Sequence, residues 1–348
     1  MVSKRTLTLF AHKGLSNRIN VLISGLALAE ATGREFRMLW PRTPACGAAF
    51  AELFANDWPV DEVTAEAVRN LPYGWSQHNP NPPDLLAATD PEIVLGSHHR
   101  LVRPEIYPAH AALVSACLAN FLQLQPAEPI ALRVKDFQER HFRPTMIGVH
   151  LRRGDFVAIR PDMLENTDAA LSAVAAWLEQ SPQAGIFLAS DDGAPSSLKT
   201  APAEGVRERF AQHFGERVVW TQPRSLDRSS PEAVQDGLVD LWLLRQTDYF
   251  VGSEGSAFSR LAVYGREVPQ VFCRGSSPAY RRLLRLYKLS GMYWLLRWLG
   301  RREFQRDLVF PTLIRYYLAE PQRLLQSLIH PRTRSAGEVK DPGRSSQP

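Results

Sequence analysis

A short cationic stretch, GVHLRRGDF at positions 148–156, is the first part of this sequence whose residue types could do chemistry. It continues an apolar run typical of a strand and places His150, Arg152 and Arg153 at the predicted strand end. Neighbouring side chains diverge there, so one arginine can point outward while the other braces the loop against a carboxylate. A guanidinium binds phosphate oxygens in pairs and keeps its charge. We therefore predict a phosphate site, with a surface ion-pair patch as the alternative interpretation.

Two carboxylates follow a second predicted strand, in the segment ASDDG at 189–193. One such carboxylate can accept both N–H groups of a guanine edge, by the same chemistry that lets acidic side chains bind base donors. The alternative is an aspartate that caps the next turn. A metal site is not expected, because the sequence has no Asp-x-Asp motif and no cluster of His and Asp at ligand spacing.

Two turns of small residues lead into predicted helices. GSEGSAF at 252–258 would let backbone N–H groups approach a phosphate closely, although many ordinary tight turns look alike. HKGLSNR at 12–18 is a similar turn, in which Asn17 and Arg18 would extend polar side chains toward a ligand. The alternative interpretation of this segment is the start of an ordinary capped helix. Together, the strand ends offer cations, small-residue turns and a carboxylate without a metal. This set fits a nucleoside diphosphate leaving group.

The elements that must position these residues alternate between strand and helix. A strand at 6–10, a helix that stops at Gly33 and a strand at 35–40 form one unit. Residues 105–142 are mostly helical in pattern, and 72–84 form a loop. The later predicted strands are MIGVHL, GIFLAS, RVVW, DYFVG and PQVFC. The predicted helices between them include 167–180 and 231–246. Ser230 and Pro231 are typical of the start of the second of these helices. This order indicates parallel sheets covered on both faces, with ligands outside the carboxyl ends of the strands.

The composition of the chain limits the classes of protein function that it fits. The chain has 348 residues, 45% of them hydrophobic, and a net charge of +5, which is typical of a globular protein with an anionic ligand. The first 280 residues hold no long basic block, which disfavours a nucleic-acid binder. Three scattered cysteines give no disulfide framework and indicate a reducing compartment. No secretory signal or membrane-spanning run is evident, so we expect a cytoplasmic protein, with peripheral contact at the inner membrane face as an option.

Four segments resemble the motif series of the α1,2/α1,6/O-fucosyltransferase superfamily, which includes the bacterial nodulation-type α1,6-fucosyltransferases. They are GLSNRINVLISGLALAEATGR, GVHLRRGDF, IFLASDD and DLWLLRQTDYFVGSEGSAFSRLA. The His-x-Arg-Arg-x-Asp element is the most specific, and the similar regions span roughly 6–40 and 146–265. The resemblance implies an α/β protein of the GT-B architecture, in which two Rossmann-like domains face each other across a cleft. It also implies bacterial glycan biosynthesis by metal-independent, inverting transfer of fucose from GDP-fucose, with no further cofactor.

The domain boundaries expected from this resemblance are 1–142 for the acceptor-side domain and 143–290 for the donor domain. Outside the similar regions, we expect a C-terminal helical segment at 291–330 and, from a polar composition rich in Pro, Gly and Ser, a disordered tail at 331–348. The stretch 280–318 mixes aromatic residues, leucine and arginine. It could lie on an anionic membrane, which would suit a lipid-linked carbohydrate acceptor, or pack back across the two domains; we favour the second interpretation.

The resemblance also implies roles for residues of the donor site. Arg152 would hold the β-phosphate and be the main catalytic residue, Arg153 would support the loop, and His150 would contact or brace the nucleotide. Asp191 would accept from guanine, and Asp155 would belong to the donor site. The remaining donor contacts would be Ser256, Ala257 and Phe258 along the diphosphate, and Gly14 and Asn17 over the sugar.

No general base matches the family pattern, and Glu254 and Asp155 are only candidates. Ala257 departs from relatives that carry a polar side chain there, and Asp240 lies where the family often has a buried acid. Two other functions stay open from the sequence: transfer of another nucleotide-linked sugar, and a non-catalytic GDP-sugar-binding protein.

Overall fold

Two parallel sheets organise the described part of the chain. The computed structural model describes residues 5–72, 84–154, 166–192 and 205–273. The first sheet has the strand order β3-β2-β1-β4. Its strands are β1 (Thr6–Phe10), β2 (Glu35–Pro41), β3 (Val60–Val63) and β4 (Glu92–Gly96), and its helices are α1 (Leu15–Thr32), α2 (Ala65–Arg69) and α3 (Ala111–Leu122). All its pairings are parallel.

The helix α1 ends where the sequence predicted. Gly33 has a φ of 62°, in the left-handed region that glycine adopts without steric cost, and its N–H reaches the carbonyl oxygens of Ala29 and Glu30. The chain then turns directly into β2, which pairs in parallel with β1. This strand–helix–strand unit places the turn 11–14 at the carboxyl end of β1.

The second sheet has the strand order β7-β6-β5-β8-β9, again all parallel. Its strands are β5 (Met146–Leu151), β6 (Gly185–Ser190), β7 (Val218–Val219), β8 (Tyr249–Ser253) and β9 (Gln270–Cys273). The helices around it are α4 (Glu128–His141), α5 (Asn166–Gln180), α6 (Val206–Phe214), α7 (Pro231–Leu244) and α8 (Ala257–Ala262), with a 3₁₀ turn at Gly215–Arg217. Every residue of β5 and β6 is buried, as expected for central strands covered on both faces.

One apolar cluster includes residues of both sheets, among them Leu9 of β1, Trp40 of β2 and Phe250 of β8. In the part of the chain that the structure describes, α3 packs on α1 and α4 packs on α7. A second cluster fills the other face of the second sheet, where α5 and α6 contribute Val174 and Phe210.

The α/β class with Rossmann-like parallel sheets is confirmed, as are the strands and helices predicted from the sequence. The start of α7 is also confirmed, since the Ser230 hydroxyl accepts a hydrogen bond from the N–H of Ala233. The domain boundary at 142 stays a prediction; α4 precedes it and yet packs on α7 of the second sheet. The predictions for 280–318 and 331–348 lie outside the described residues. None of the helices described in the structure is long and apolar enough to cross a membrane.

Candidate functional site

Three of the polar segments found in the sequence meet at one edge of the second sheet. β5 lies between β6 and β8, so 150–153, 190–192 and 253–258 occupy the carboxyl ends of three adjacent strands. The chain runs from β5 through β6 to β7 on one side and adds β8 and β9 on the other. The β5/β8 boundary is therefore the topological switch point of this sheet, where open α/β sheets bind ligands.

Arg152 lies at this switch point with its side chain 20% exposed. Its guanidinium forms an ion pair with the Asp191 carboxylate, which follows β6. The other oxygen of Asp191 accepts a hydrogen bond of 2.6 Å from the backbone N–H of Arg153. One carboxylate thus orients the exposed guanidinium and fixes the loop that carries it. The arrangement presents a cation to an anion that approaches the carboxyl end of the sheet.

Arg153 has the opposite environment, because its side chain is buried and the residue is only 3% exposed. Its guanidinium donates to Asn166 Oδ1 at 2.8 Å, to the Thr167 hydroxyl and to the carbonyl oxygen of Arg152 at 3.2 Å. Burial lowers its pKa to about 10, so it remains a cation at neutral pH. Arg153 therefore ties the 152–154 loop to the start of α5, a bracing position.

His150 is a buried member of β5 and not a surface group. Its Nδ1 lies 2.6 Å from the Ser259 hydroxyl, and its ring stacks on Phe258 with centroids 4.6 Å apart. Burial lowers the pKa of the imidazole to about 3, with Arg152 and Arg153 adding to the effect against Asp191. The ring is neutral at physiological pH, so it supplies hydrogen bonding and packing and no charge.

Ser253, the last residue of β8, connects these groups. Its hydroxyl oxygen accepts from the backbone N–H of Arg152 at 2.9 Å and from Asn166 Nδ2 at 3.3 Å, and it donates to the carbonyl oxygen of His150 at 3.3 Å. Its own N–H donates to the Ser259 hydroxyl at 3.1 Å. Ser253 thus joins β5, β8 and α5 and holds the backbone of Arg152.

The turn into α8 is built by Gly255 and Ser256. Gly255 has a φ of 77°, which favours glycine, and the Ser256 hydroxyl accepts from the N–H of Ser259 at 3.3 Å. Ser256 is buried, while Ala257 and Phe258 are partly buried. Phe258 stacks on His150, and Ser256 and Ala257 directly precede it in this turn. Contact of the three residues with a diphosphate stays a prediction.

Asp191 and Asp192 have different roles in the structure. Asp192 Oδ2 accepts from the N–H of Val206 at 2.6 Å, at the start of α6. The alternative interpretation of an aspartate cap therefore describes Asp192. Asp191 instead holds the two arginines, and whether it also accepts from guanine stays a prediction.

The residues expected from the first sheet lie at the carboxyl end of β1. Gly14 precedes α1, and Asn17 is partly buried in its first turn. Arg18 is fully buried, and its guanidinium donates to the carbonyl oxygens of Lys13 and Pro41 at 2.9 and 2.5 Å. The prediction of Arg18 as a polar arm toward a ligand is wrong, because its donors hold the β1 and β2 turns together.

The described contacts of the candidate acids Glu254 and Asp240 are the following, and one candidate lies beyond the description. Glu254 is partly buried, and its N–H donates to the carbonyl oxygen of Cys273 at 3.1 Å. Asp240 on α7 accepts from the Thr221 hydroxyl at 2.6 Å, and burial raises its pKa to about 7. Asp155 lies outside the described residues. Among the described residues, no three His, Cys, Asp or Glu side chains form a group that could hold a metal ion.

Sequence reasoning missed four members of the site network, which are Asn166, Thr167, Ser253 and Ser259. Asn166 and Thr167 begin α5, so polar residues before an apolar helix were the only available signal. Ser253 and Ser259 fall inside the segment DLWLLRQTDYFVGSEGSAFSRLA, and their six-residue spacing spans the turn from β8 into α8. Only the fold shows that both serines face β5.

No family model matches this chain, and no curated protein matches it. Solved structures similar to it include NodZ α1,6-fucosyltransferase of Bradyrhizobium soaked with GDP-fucose, at 17% identity over 75% of this chain and 93% of that chain, with a TM-score of 0.47. POFUT1 is 12% identical over 78% of this chain and 99% of that chain, with a TM-score of 0.47. A variant of Arabidopsis thaliana FUT1 with GDP bound is 14% identical over 77% and 71%, with a TM-score of 0.49.

Proposed function

We propose that this chain is a glycosyltransferase that moves fucose from GDP-fucose to a glycan or glycoconjugate. The observation that carries the proposal is the partly exposed guanidinium of Arg152 at the β5/β8 switch point, braced by Asp191 and by the loop that Arg153 anchors. The motif resemblance of this segment and its three companions supports GDP-fucose as the donor. The first sheet, on the acceptor side of the cleft, would then contribute Gly14 and Asn17 over the sugar of the donor.

Donor binding would exchange the partner of Arg152. In the structure the guanidinium and the Asp191 carboxylate are paired. The donor diphosphate would replace that carboxylate at Arg152, and Asp191 could turn to the N–H groups of guanine while keeping the backbone of Arg153. Arg152 would exchange one anionic partner for another, and Asp191 would keep hydrogen-bond donors in place of the guanidinium.

Transfer would proceed by heterolysis of the bond between the anomeric carbon and the diphosphate oxygen. The bonding electrons leave with GDP, whose added negative charge Arg152 would stabilise, and positive charge develops on the sugar. An acceptor hydroxyl attacks the opposite face, which inverts the anomeric centre, and its proton passes to solvent or to a base such as Glu254. His150, which is neutral and buried, would hold Phe258 and Ser259 in place.

Metal independence is part of the proposal. Arg152 would supply the positive charge that a divalent cation supplies in other transferases, and it is already fixed at the strand end. We also propose that the enzyme works in the cytoplasm, where GDP-sugars would be its donors. The carbohydrate acceptor could be lipid-linked.

The first test compares nucleotide binding and transfer in the natural chain and in Arg152→Ala. GDP should raise the melting temperature where UDP and ADP do not, and EDTA should leave that shift intact. Arg152→Ala should abolish the shift and lower fucosyl transfer by about 10²–10³, since a lost charged contact to the leaving group costs about 3–4 kcal/mol. Arg140→Ala on the exposed face of α4 is the matched control and should change neither.

Donor hydrolysis separates an enzyme from a binding protein. A GDP-specific shift without GDP release from GDP-fucose, with or without glycan acceptors, would mean binding without turnover. A shift by UDP in place of GDP would overturn the donor assignment, and a shift that Arg152→Ala leaves unchanged would overturn the site.

A further inference from the structure

The 152–154 loop is anchored from both strands that flank β5. The backbone N–H of Arg152 donates to the Ser253 hydroxyl at 2.9 Å, and the next N–H, of Arg153, donates to Asp191 Oδ1 at 2.6 Å. Ser253 ends β8 and Asp191 follows β6, and these two strands lie on opposite sides of β5. Two consecutive N–H groups are therefore held from opposite sides, and their positions set where the Arg152 side chain begins.

The two anchors would respond differently to a donor. Asp191 also pairs with the Arg152 guanidinium, and in the proposed function the donor diphosphate takes its place there. The described partners of the Ser253 hydroxyl are two backbone groups and the amide of Asn166, all of them uncharged. An exchange of charged groups at the guanidinium leaves these partners unchanged. Ser253 is therefore the anchor that can hold the loop in the same place with and without a donor.

The hydrogen-bonding capacity of the Ser253 hydroxyl is completely used. A hydroxyl group has one donor and two acceptor positions. Ser253 donates to the carbonyl oxygen of His150 at 3.3 Å, and it accepts from the N–H of Arg152 and, at 3.3 Å, from Asn166 Nδ2. Because Ser253 is fully buried, removing the hydroxyl would take a partner from three polar groups inside the protein.

Asn166 fixes the orientation of this hydroxyl. Its Nδ2 donates to Ser253, while its Oδ1 accepts from the Arg153 guanidinium at 2.8 Å. A flipped amide would place N–H groups against the guanidinium, so Arg153 selects the orientation that directs an N–H at Ser253. With that N–H directed at it, the Ser253 oxygen keeps its own proton for His150 and its second lone pair for Arg152.

We propose that Ser253 and Asn166 are positioning residues, which hold the backbone of Arg152 in one place while its guanidinium exchanges a carboxylate for the donor diphosphate. The inference rests on the proposed function, in which Arg152 stabilises the leaving GDP. A cation that is already in place needs no reorganisation when negative charge develops on the leaving group. A displacement of about 1 Å at such a group can cost about 10² in rate, so loss of the anchor should be visible in turnover.

The first test is a double-mutant cycle that measures release of GDP from radiolabelled GDP-fucose. Ser253→Ala should lower kcat/KM about 10–100-fold in the natural chain, because the guanidinium is displaced. In the Arg152→Ala background, where no guanidinium is left to position, the same change should lower kcat/KM less than about twofold. An equal loss in both backgrounds would mean that Ser253 acts on the fold alone, and would overturn the proposal.

Ser24→Ala is the matched control for loss of a buried hydroxyl. Ser24 on α1 is also fully buried, and its hydroxyl donates to the carbonyl oxygen of Asn20 at 2.7 Å. It accepts from the N–H groups of Leu101 and Val102 at 3.1 and 3.3 Å, so the same three hydrogen-bond positions are used. Ser24→Ala should destabilise the chain to urea, yet its effect on kcat/KM should be the same with and without Arg152.

Asn166→Asp tests the second positioning residue with almost no change in shape. The carboxylate can still accept from Arg153, but it replaces the N–H that faces Ser253 with an acceptor. The Ser253 hydroxyl must then turn its proton away from His150, which disturbs the contact with the loop. We expect a loss of about tenfold in kcat/KM, and no further loss when Asn166→Asp is combined with Ser253→Ala. Losses that add fully would overturn the role of Asn166.

Hydrogen exchange of the Arg152 amide tests the anchor without turnover. The exchange rate, measured by NMR, should rise about tenfold in Ser253→Ala, the effect of one lost hydrogen bond, and stay unchanged in Ser24→Ala. An unchanged rate in Ser253→Ala would overturn the anchor even in an active transferase. If the natural chain neither binds GDP nor releases it from GDP-fucose, the proposed function fails, and the exchange rate still decides whether Ser253 holds the loop.

Discussion

At the scale of single residues, Arg152 and Arg153 are chemically identical neighbours with opposite surroundings. The Arg153 guanidinium is buried and donates to Asn166 and Thr167 of α5, while the Arg152 side chain is partly exposed and pairs with Asp191. The two side chains diverge just after β5 ends, one toward the start of α5 and the other toward the carboxylate that follows β6. The buried arginine fixes the backbone from which the exposed one extends, so the two positions are not interchangeable and Arg153→Lys would lose the pair of bonds to Asn166 and Thr167.

His150 makes the stability of the folded chain depend on pH below about 6.5. Its pKa is about 3 when folded and about 6.5 when unfolded, so between these values only the unfolded state binds the proton. The free energy of unfolding therefore falls as pH falls through this window. From pH 6.5 to 4.5 the natural chain should lose about 2–3 kcal/mol more than His150→Asn, as measured by urea denaturation at both pH values.

The pKa shift of Asp240 changes the pH dependence of stability in the opposite direction and so provides a control. Its pKa is raised to about 7, so the folded state holds the proton more tightly, and its contribution to stability falls as pH rises from about 4 to 7. Asp240→Asn should therefore steepen the rise of stability with pH, whereas His150→Asn should flatten it. Slopes that change in the same direction in both variants would contradict this account.

At the scale of elements, the sequence predicted what lies in continuous apolar runs. β5 and β6 are buried on both faces, so their six-residue runs were recognisable with their correct bounds. β3 and β4 were not predicted. The sequence VDEV of β3 carries two acids and shows no apolar alternation, and β4, EIVLG, is a short run in a proline-rich region. The polar residues that follow these strands were predicted as well, because the end of each apolar run marks where its strand ends. Asn166 and Thr167 were not, since only the tertiary fold brings α5 to Arg153.

Arg18 shows the limit of residue type as a guide. A lone arginine near a glycine turn predicts a ligand contact, yet here its charge is buried and its donors are used by carbonyl oxygens and Thr43. Those acceptors belong to turns far apart in sequence. No local sequence pattern indicates that these acceptors come together around the Arg18 guanidinium.

The contact between the turn at Gly47 and the loop 224–230 yields a prediction at this scale. A Cβ on Gly47 would lie 1.9 Å from the carbonyl oxygen of Ser229, so Gly47→Ala must displace that backbone. We expect a loss of about 1–3 kcal/mol in the free energy of unfolding, because the backbone cannot yield cheaply. Gly237→Ala is the matched control within α7, where a Cβ meets nothing within 4 Å, and it should stabilise by about 0.5–1 kcal/mol. Thermal and urea unfolding of the two variants measure both effects.

At the scale of the whole molecule, the two sheets share one apolar cluster. If each sheet had its own core, each could unfold separately. Because they share one apolar cluster, the unfolding of one sheet should destabilise the other. Amides of β1 and of β5 should therefore exchange hydrogen with the same dependence on low denaturant concentrations, which mass spectrometry of the intact chain can resolve. Earlier opening of β1 and β2 than of β5 and β8 would show that the sheets unfold independently.

The hydrogen bond from Gly47 to Arg228 also has a consequence for biosynthesis. Its two ends leave the ribosome about 180 residues apart, which takes roughly 10–40 seconds at ordinary elongation rates. Throughout that interval the nascent first sheet lacks α7 and Phe250, so the apolar side chains that pack against them in the folded chain are exposed to water. We expect the growing polypeptide to depend on co-translational chaperones until its second half has emerged.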